Sequence, residues 1–179
     1  ELGIEAFSWV RRVGDVNYTG PFDRGLRDAS SVFCPDPEIT RLMEVRIDEV
    51  GERGDTIGGE FKVVLEGLPA GIGSYTQWDQ RLDTVLAAHL MSIPRIKAVQ
   101  IGRGAECAEI PGSRLHDEIL PGTPLARASN NAGGIEGGVS NGEPVEAVCT
   151  MKPIPTLKKG LRSIDIRSGA PEQAQYERS

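Results

Sequence analysis

The segment richest in chemical possibility runs from Asn130 to Gly142, NNAGGIEGGVSNG, with five glycines (Gly133, Gly134, Gly137, Gly138, Gly142) and three asparagines (Asn130, Asn131, Asn141). Glycine permits positive φ and lets a ligand reach backbone N–H groups with no Cβ in the way. Successive N–H groups of that kind form anion-binding concavities. The spacing fits neither GxxxxGK[ST] nor GxGxxG, so neither nucleotide fingerprint is present. A tight turn explains the glycines equally well and, for the loop alone, is the plainer reading. Ten residues beyond Gly142 stands Lys152-Pro153-Ile154-Pro155-Thr156. Prolines at alternate positions clamp φ and present Lys152 and Thr156 from a stiff extended segment. A cation and a hydroxyl held rigidly suit a phosphate or the edge of a flavin, although the same residues alone read as a strand exit with a solvated lysine.

Other reactive residue types are sparse. His89 falls one position from an apolar helical stripe and reads as a boundary residue; His116 sits among polar neighbours in SRLHDE, where Asp117 could orient it. Trp78 reads as a core plug near a helix start, and Asp79, Asp83, Asp48, Glu49 and Glu52 as solvated helix faces. Cys34, Cys107 and Cys149 are far apart, odd in number and without a CxxC pair, which points to reduced thiols in a cytosolic protein. No Ser-His-Asp order and no metal-ligand cluster stands out.

These segments need elements to hold them. Leu2 to Val13 alternates as a strand with Ile4, Ala6, Ser8 and Val10 on one face, and Gly14 to Val32 reads as a loop. Asp36-Pro37 opens a helix, since Asp is a favoured N-cap and Pro a favoured first helical residue; Ile39, Leu42, Met43, Ile47 and Val50 are its stripe, and Gly51 or Gly54 its stop. Glu60 to Leu65 is a strand. A second helix is expected from about Thr76 to Ile93, with Thr76 and Asp79 at capping-box spacing, Leu82, Val85, Leu86, Leu90 and Ile93 buried, and Pro94 ending it. Ile96 to Ile101, Pro144 to Met151 and Leu161 to Ile166 are further strands, and Glu109 to Ser129 is irregular. The order predicts an α+β fold of helices layered on sheet, with no internal repeat.

Composition agrees. The 179 residues (19.3 kDa) suit one domain, and 39% apolar with 26% charged residues suffices for a sizeable core. A net charge of −6 argues against a general nucleic-acid binder, which needs a basic face. No apolar run approaches the roughly 18 residues of a membrane span, and nothing at the start reads as a signal peptide. The chain opens on Glu1 and runs straight into apolar alternation, which reads as an internal part of something longer.

Five segments taken together make the chain similar to the chorismate synthase family: CPDPE (Cys34 to Glu38), GDTIGGEFKVVLEGLPAGIGS (Gly54 to Ser74), LMSIPRIKAVQIG (Leu90 to Gly102), NNAGGIEGGVSNGEP (Asn130 to Pro144) and MKPIPT (Met151 to Thr156). They keep the family's order and near-family spacing across essentially all 179 residues, so that 1–179 is expected to be a single-domain internal part of such a chain. The resemblance implies a partial β-α-β sandwich of the family type, within a cytoplasmic homotetramer. It implies a 1,4-anti elimination of phosphate from 5-enolpyruvylshikimate 3-phosphate to chorismate, with reduced FMN as cofactor and NADPH as a candidate flavin reductant. Residue by residue, it implies FMN contacts at Pro94 and Arg95, at Gly137, at Lys152, Pro153, Ile154, Pro155 and Thr156, and at Arg178. The residue types themselves point to the glycine loop and KPIPT but say nothing of Pro94-Arg95 or Arg178.

This sequence departs from the pattern in several places. The family's GxSHG segment, its two active-site histidines and its N-terminal arginines have no counterpart here, and His89 and His116 lie outside matching motifs, so no catalytic residue is assigned in the chain. Arg95 stands where the family has a small residue. The alternatives are an inert flavin-binding or structural fragment, or a binding module for another phosphorylated ligand.

Overall fold

A computed structural model describes residues 3–122 and 124–176. In chain order the elements are β1 (Glu5–Val13), β2 (Val16–Asn17), α1 (Arg24–Ala29), α2 (Pro37–Glu52), β3 (Gly59–Glu66), α3 (Leu82–Ser92), β4 (Ile96–Ile101), α4 (Gly112–Leu115), β5 (Ile119–Leu120), β6 (Ala126–Arg127), β7 (Ile135–Glu136), β8 (Val139–Ser140), β9 (Val145–Met151), β10 (Arg162–Ile164) and β11 (Pro171–Gln173). They form two compact units. Unit one comprises Glu1–Trp9 with Glu60–Thr150, and unit two Val10–Gly59 with Met151–Ser179.

Unit one is built on strands in the order β1-β3-β9-β4. Strand β9 is central, and Val145, Ala147, Val148 and Cys149 are all buried. Burial on both faces explains why this strand reads as a nearly continuous apolar run rather than as an alternation. Trp9, Val64, Ile96 and Ile135 are the other buried apolar residues described in this unit. Three small hairpins, β5-β6 and β7-β8 in this unit and β10-β11 in the other, stand apart from that sheet.

Unit two packs α2 over the end of β1, where Val13, Cys34 and Met43 form the buried cluster, flanked by Val10, Val16, Tyr18, Val32, Ile39 and Ile57. Helix α2 starts as its local chemistry dictates. The Asp36 carboxylate accepts from the Ile39 N–H at 2.9 Å and Pro37 takes the first turn, where its missing N–H costs nothing. It ends at Arg53, and Gly54 follows at φ +73°. Complete burial of Met43 contributes roughly 1.5–3 kcal/mol.

Several expectations need correction. The fully buried residues of β1, Trp9 and Val13, lie on the face opposite Ile4, Ala6, Ser8 and Val10, although Val10 is half-buried against the cluster at Val13; Phe7 stacks on Trp9 with ring centroids 6.1 Å apart. The stretch from Gly14 to Val32 contains β2 and α1, the latter capped by Asp23. On α2 only Met43 of the expected stripe is fully buried, while Leu42 and Ile47 are exposed. The second helix begins at Leu82 instead of Thr76. Ser74 Oγ takes the N–H groups of Thr76 and Gln77, the chain makes a 3-10 turn at Trp78–Gln80, and Trp78 is 76% exposed, not a core plug. Val85 and Ile93 of its expected apolar face are also exposed. Glu109 to Ser129 holds α4 and the β5-β6 hairpin.

Candidate functional site

The glycine loop in unit one resolves into a hairpin. Ile135 pairs with Ser140 and Glu136 with Val139, leaving Gly137-Gly138 as a two-residue turn at φ +60° and +93°. Both angles are positive, as a type I′ hairpin turn requires. The glycines then divide by what surrounds them. A Cβ on Gly133 would run into the Gly102 backbone; one on Gly134 would lie 2.5 Å from the Pro144 carbonyl oxygen, and one on Gly138 2.5 Å from the Ser74 carbonyl oxygen. Those three are buried and are glycine because the chain crowds there. Gly137 is exposed, and a Cβ on it would meet nothing within 4 Å.

The amides of this loop are largely spent inside the protein. Asp117 is buried, and its carboxylate accepts from Ser129 Oγ, from the Asn131 N–H at 2.8 Å and from the Ala132 N–H at 2.9 Å. Asn130 Oδ1 accepts from the Gly134 N–H at 2.8 Å, while its Nδ2 donates to the Pro144 carbonyl at 2.8 Å. The N–H groups of Asn131, Ala132 and Gly134 are thus closed to an anion, while Gly137 at the tip is exposed. Asp117, which could orient His116 on sequence grounds, is occupied by Ser129 and the loop amides. Burial alone would raise its carboxyl, but the hydrogen bonds from Ser129, Ala132 and Asn131, with Arg127 nearby, outweigh that and hold it below the ordinary range. Arg127 in turn pairs with Glu136 at 2.5 Å, next to the turn.

Helix α3 separates two of the expected contacts. The Leu82 N–H at its start donates to the Gly138 carbonyl at 2.8 Å, and Pro94-Arg95 follows its other end. Eleven residues of helix span about 16 Å, so Gly137 and Pro94-Arg95 stand at opposite ends of one element. Ile93 to Ile96 is a turn closed by the Ile96 N–H on the Ile93 carbonyl at 3.2 Å, and Arg95 has φ +75°. Pro at the second and a left-handed residue at the third position mark a type II turn, which favours Gly or Asn where Arg95 stands.

In unit two, Lys152, Pro153, Ile154 and Pro155 are exposed and Thr156 is half-buried, in an irregular segment with a bend at Pro155 that follows β9. Thr56 Oγ1 donates to the Ile154 carbonyl at 2.6 Å. Arg178 lies outside the described residues. His89 Nδ1 is 2.8 Å from the Val85 carbonyl one turn back on its own helix. Cys34, Cys107 and Cys149 are free thiols, the first and last buried, and burial pushes the Cys149 thiol up to about 11. Among the described residues no three His, Cys, Asp or Glu side chains cluster as a metal site, and no helix is long and apolar enough to cross a membrane.

The chain is an α+β protein with a glycine hairpin at the start of α3 in one unit and an exposed lysine followed by two prolines in the other. The family model described as chorismate synthase matches residues 1–179, and the chain belongs to that family. It is 43% identical over 187 residues to the chorismate synthase of Desulforamulus reducens, covering 100% of this chain and 48% of that protein. Over 186 residues it is 48% identical to that of Bifidobacterium animalis subsp. lactis, covering 99% of this chain and 47% of that protein. A solved structure titled "Crystal Structure of Chorismate Synthase" superposes with a TM-score of 0.79 at 37% identity, over 85% of this chain and 50% of that one. The chain spans about half the length of the curated relatives it matches.

Proposed function

We propose that this chain is about half of a chorismate synthase, which eliminates phosphate from 5-enolpyruvylshikimate 3-phosphate in 1,4-anti fashion to give chorismate. The observation that carries the reading is similarity over all of the chain, at 43–48% identity, to relatives bearing that name. Reduced FMN, when bound, supplies electron density to the allylic system as phosphate leaves. The residues here suit such a group: Gly137 leaves open the space a Cβ would fill, and Lys152 and Thr156 offer a cation and a hydroxyl from a stiff segment. Lys152 would neutralise phosphate or flavin-edge charge; Pro153, Ile154 and Pro155 would keep its backbone stiff; Pro94 and Arg95 would contact the flavin through their backbone; the family resemblance adds Arg178 as a further contact to flavin and substrate phosphate. NADPH as flavin reductant, a homotetramer and a cytoplasmic setting belong to the same reading.

A narrower reading has its own support, since the chain covers 48% of a relative's length. In that reading the 179 residues alone bind flavin weakly and catalyse nothing, because proton transfer is the work of groups outside them. One ring nitrogen of His89 lies against the Val85 carbonyl of its own helix, and the residue falls outside the family's motifs, so this reading gives it no catalytic role. The test is conversion of 5-enolpyruvylshikimate 3-phosphate by the full-length protein, reduced FMN present and oxygen excluded. Chorismate appearing only with reduced flavin supports the reading, and its absence overturns it. The same assay on the 179-residue chain is expected to give no product.

A further inference from the structure

The segment Gly54 to Gly58, GDTIG, carries no role in the function proposed above, yet within unit two it runs beside Met151 to Lys159 in the opposite sense. The Lys159 N–H donates to the Gly54 carbonyl at 3.4 Å. Two residues on, Thr56 Oγ1 donates to the Ile154 carbonyl at 2.6 Å across 98 positions of sequence. At Gly58 a Cβ would lie 2.5 Å from the Met151 carbonyl oxygen and 3.1 Å from Pro153 Cδ, so only glycine lets the two segments lie this close. Asp55 Oδ1 accepts from the Thr56 N–H at 2.7 Å and steadies the residue that does the gripping.

The need for such a grip follows from the prolines. Pro153 and Pro155 have no N–H, so the segment cannot secure itself through those positions in a strand ladder. Stiff φ angles narrow its conformations but do not say where it points. A hydroxyl donated to the carbonyl between the two prolines does.

We propose that Thr56 is a positioning residue: its hydroxyl, with the close approach that Gly58 allows, splints Lys152 to Thr156 in the conformation that offers Lys152 and Thr156 to a phosphorylated ligand. The ligand half of this statement rests on the flavin reading above; the splint itself rests on the geometry of residues 54–58 and 151–159. Thr56→Val keeps the shape and removes the hydroxyl, and Thr56→Ser keeps the hydroxyl. Both are made in the full-length protein and followed by hydrogen exchange of the peptide spanning residues 151–159 and by affinity for reduced FMN. Thr56→Val is expected to speed exchange in that peptide and to weaken FMN binding by about three- to tenfold, the worth of one net hydrogen bond. Thr56→Ser is expected to stay within about twofold of the parent on both readouts. Unchanged exchange in Thr56→Val overturns the splint, as does a Thr56→Ser variant as impaired as Thr56→Val. If Thr56→Val loosens the peptide while Lys152→Ala leaves FMN affinity at the parent value, the splint stands and the flavin reading of the segment is what fails.

Discussion

At the glycine hairpin of unit one the N–H groups of Asn131, Ala132 and Gly134 end on Asp117 and Asn130, and three of the glycines are buried against neighbouring backbone. In unit two the Lys152–Thr156 segment leaves four of its five residues exposed and takes one hydroxyl from elsewhere in its unit. Both segments look like ligand loops in one dimension. The first is mostly architecture with one open residue, Gly137, at its tip; the second is mostly available surface with one point of attachment. Glycine density marks where chains crowd, and proline alternation marks where a segment has given up the means to hold itself.

The sharpest way to break this contrast is at a crowded glycine. Gly102→Ala would drive a Cβ into the Asn131 carbonyl at φ +56°, and we expect a loss on the order of 4 kcal/mol in chemical denaturation. A loss below about 1 kcal/mol would mean that the loop yields cheaply and that crowding is not why it is glycine. Asp117→Asn comes next, at roughly 2–3 kcal/mol, because it trades a charged acceptor for one that presents an N–H to loop amides. The sign in pH follows from the lowered carboxyl. Its stabilisation is present in full above the unfolded value of about 3.9 and fades as pH falls through the lower folded value. Unfolding scans of the parent between pH 6 and the acid limb should therefore show a slope that Asp117→Asn flattens.

Gly137 separates turn from ligand. Valine there should cost roughly 1–2 kcal/mol through its positive φ, whereas asparagine, at home in a type I′ turn, should cost little. Equal losses for the two would undo the turn assignment. Both variants are expected to lose FMN, since either side chain fills the open space over the backbone; FMN affinity unchanged in Gly137→Val would sink that contact. The smallest effect is expected at Arg95, where glycine relieves the left-handed third position of the turn. Arg95→Gly should raise the thermal midpoint by about 2–4 °C and Arg95→Ala should not, and the reverse order would count against the turn.

What could be read in the sequence was what depended on near neighbours. Asp36-Pro37 caps α2 because donor and acceptor lie three residues apart, and Ile96–Ile101 is a strand with the bounds its β-branched run suggests. The capping box at Thr76 and Asp79 failed on an equally local competitor, the Ser74 hydroxyl. The Gly137-Gly138 turn was legible in principle, as two glycines between short apolar strands. Asp117 was not: its donors come from residues 12 to 15 positions further on, and one carboxylate beside a histidine invites a different partner. Thr56 was hidden for the same reason over a longer span, 98 residues. The motifs pointed to segments, but not to which of their atoms are already engaged.

Strand β9, the most buried of the sheet, passes directly into the exposed run that begins at Lys152. A solvent-facing continuation of a core strand is ordinarily a template on which a second molecule can add its own backbone, the first step toward aggregation. Pro153 and Pro155 interrupt that row of donors at alternate positions, so a foreign strand finds no unbroken ladder to join. The same two rings that stiffen the segment also make it a poor edge for a polypeptide, and it can stay open in a crowded solution without sticking to its copies.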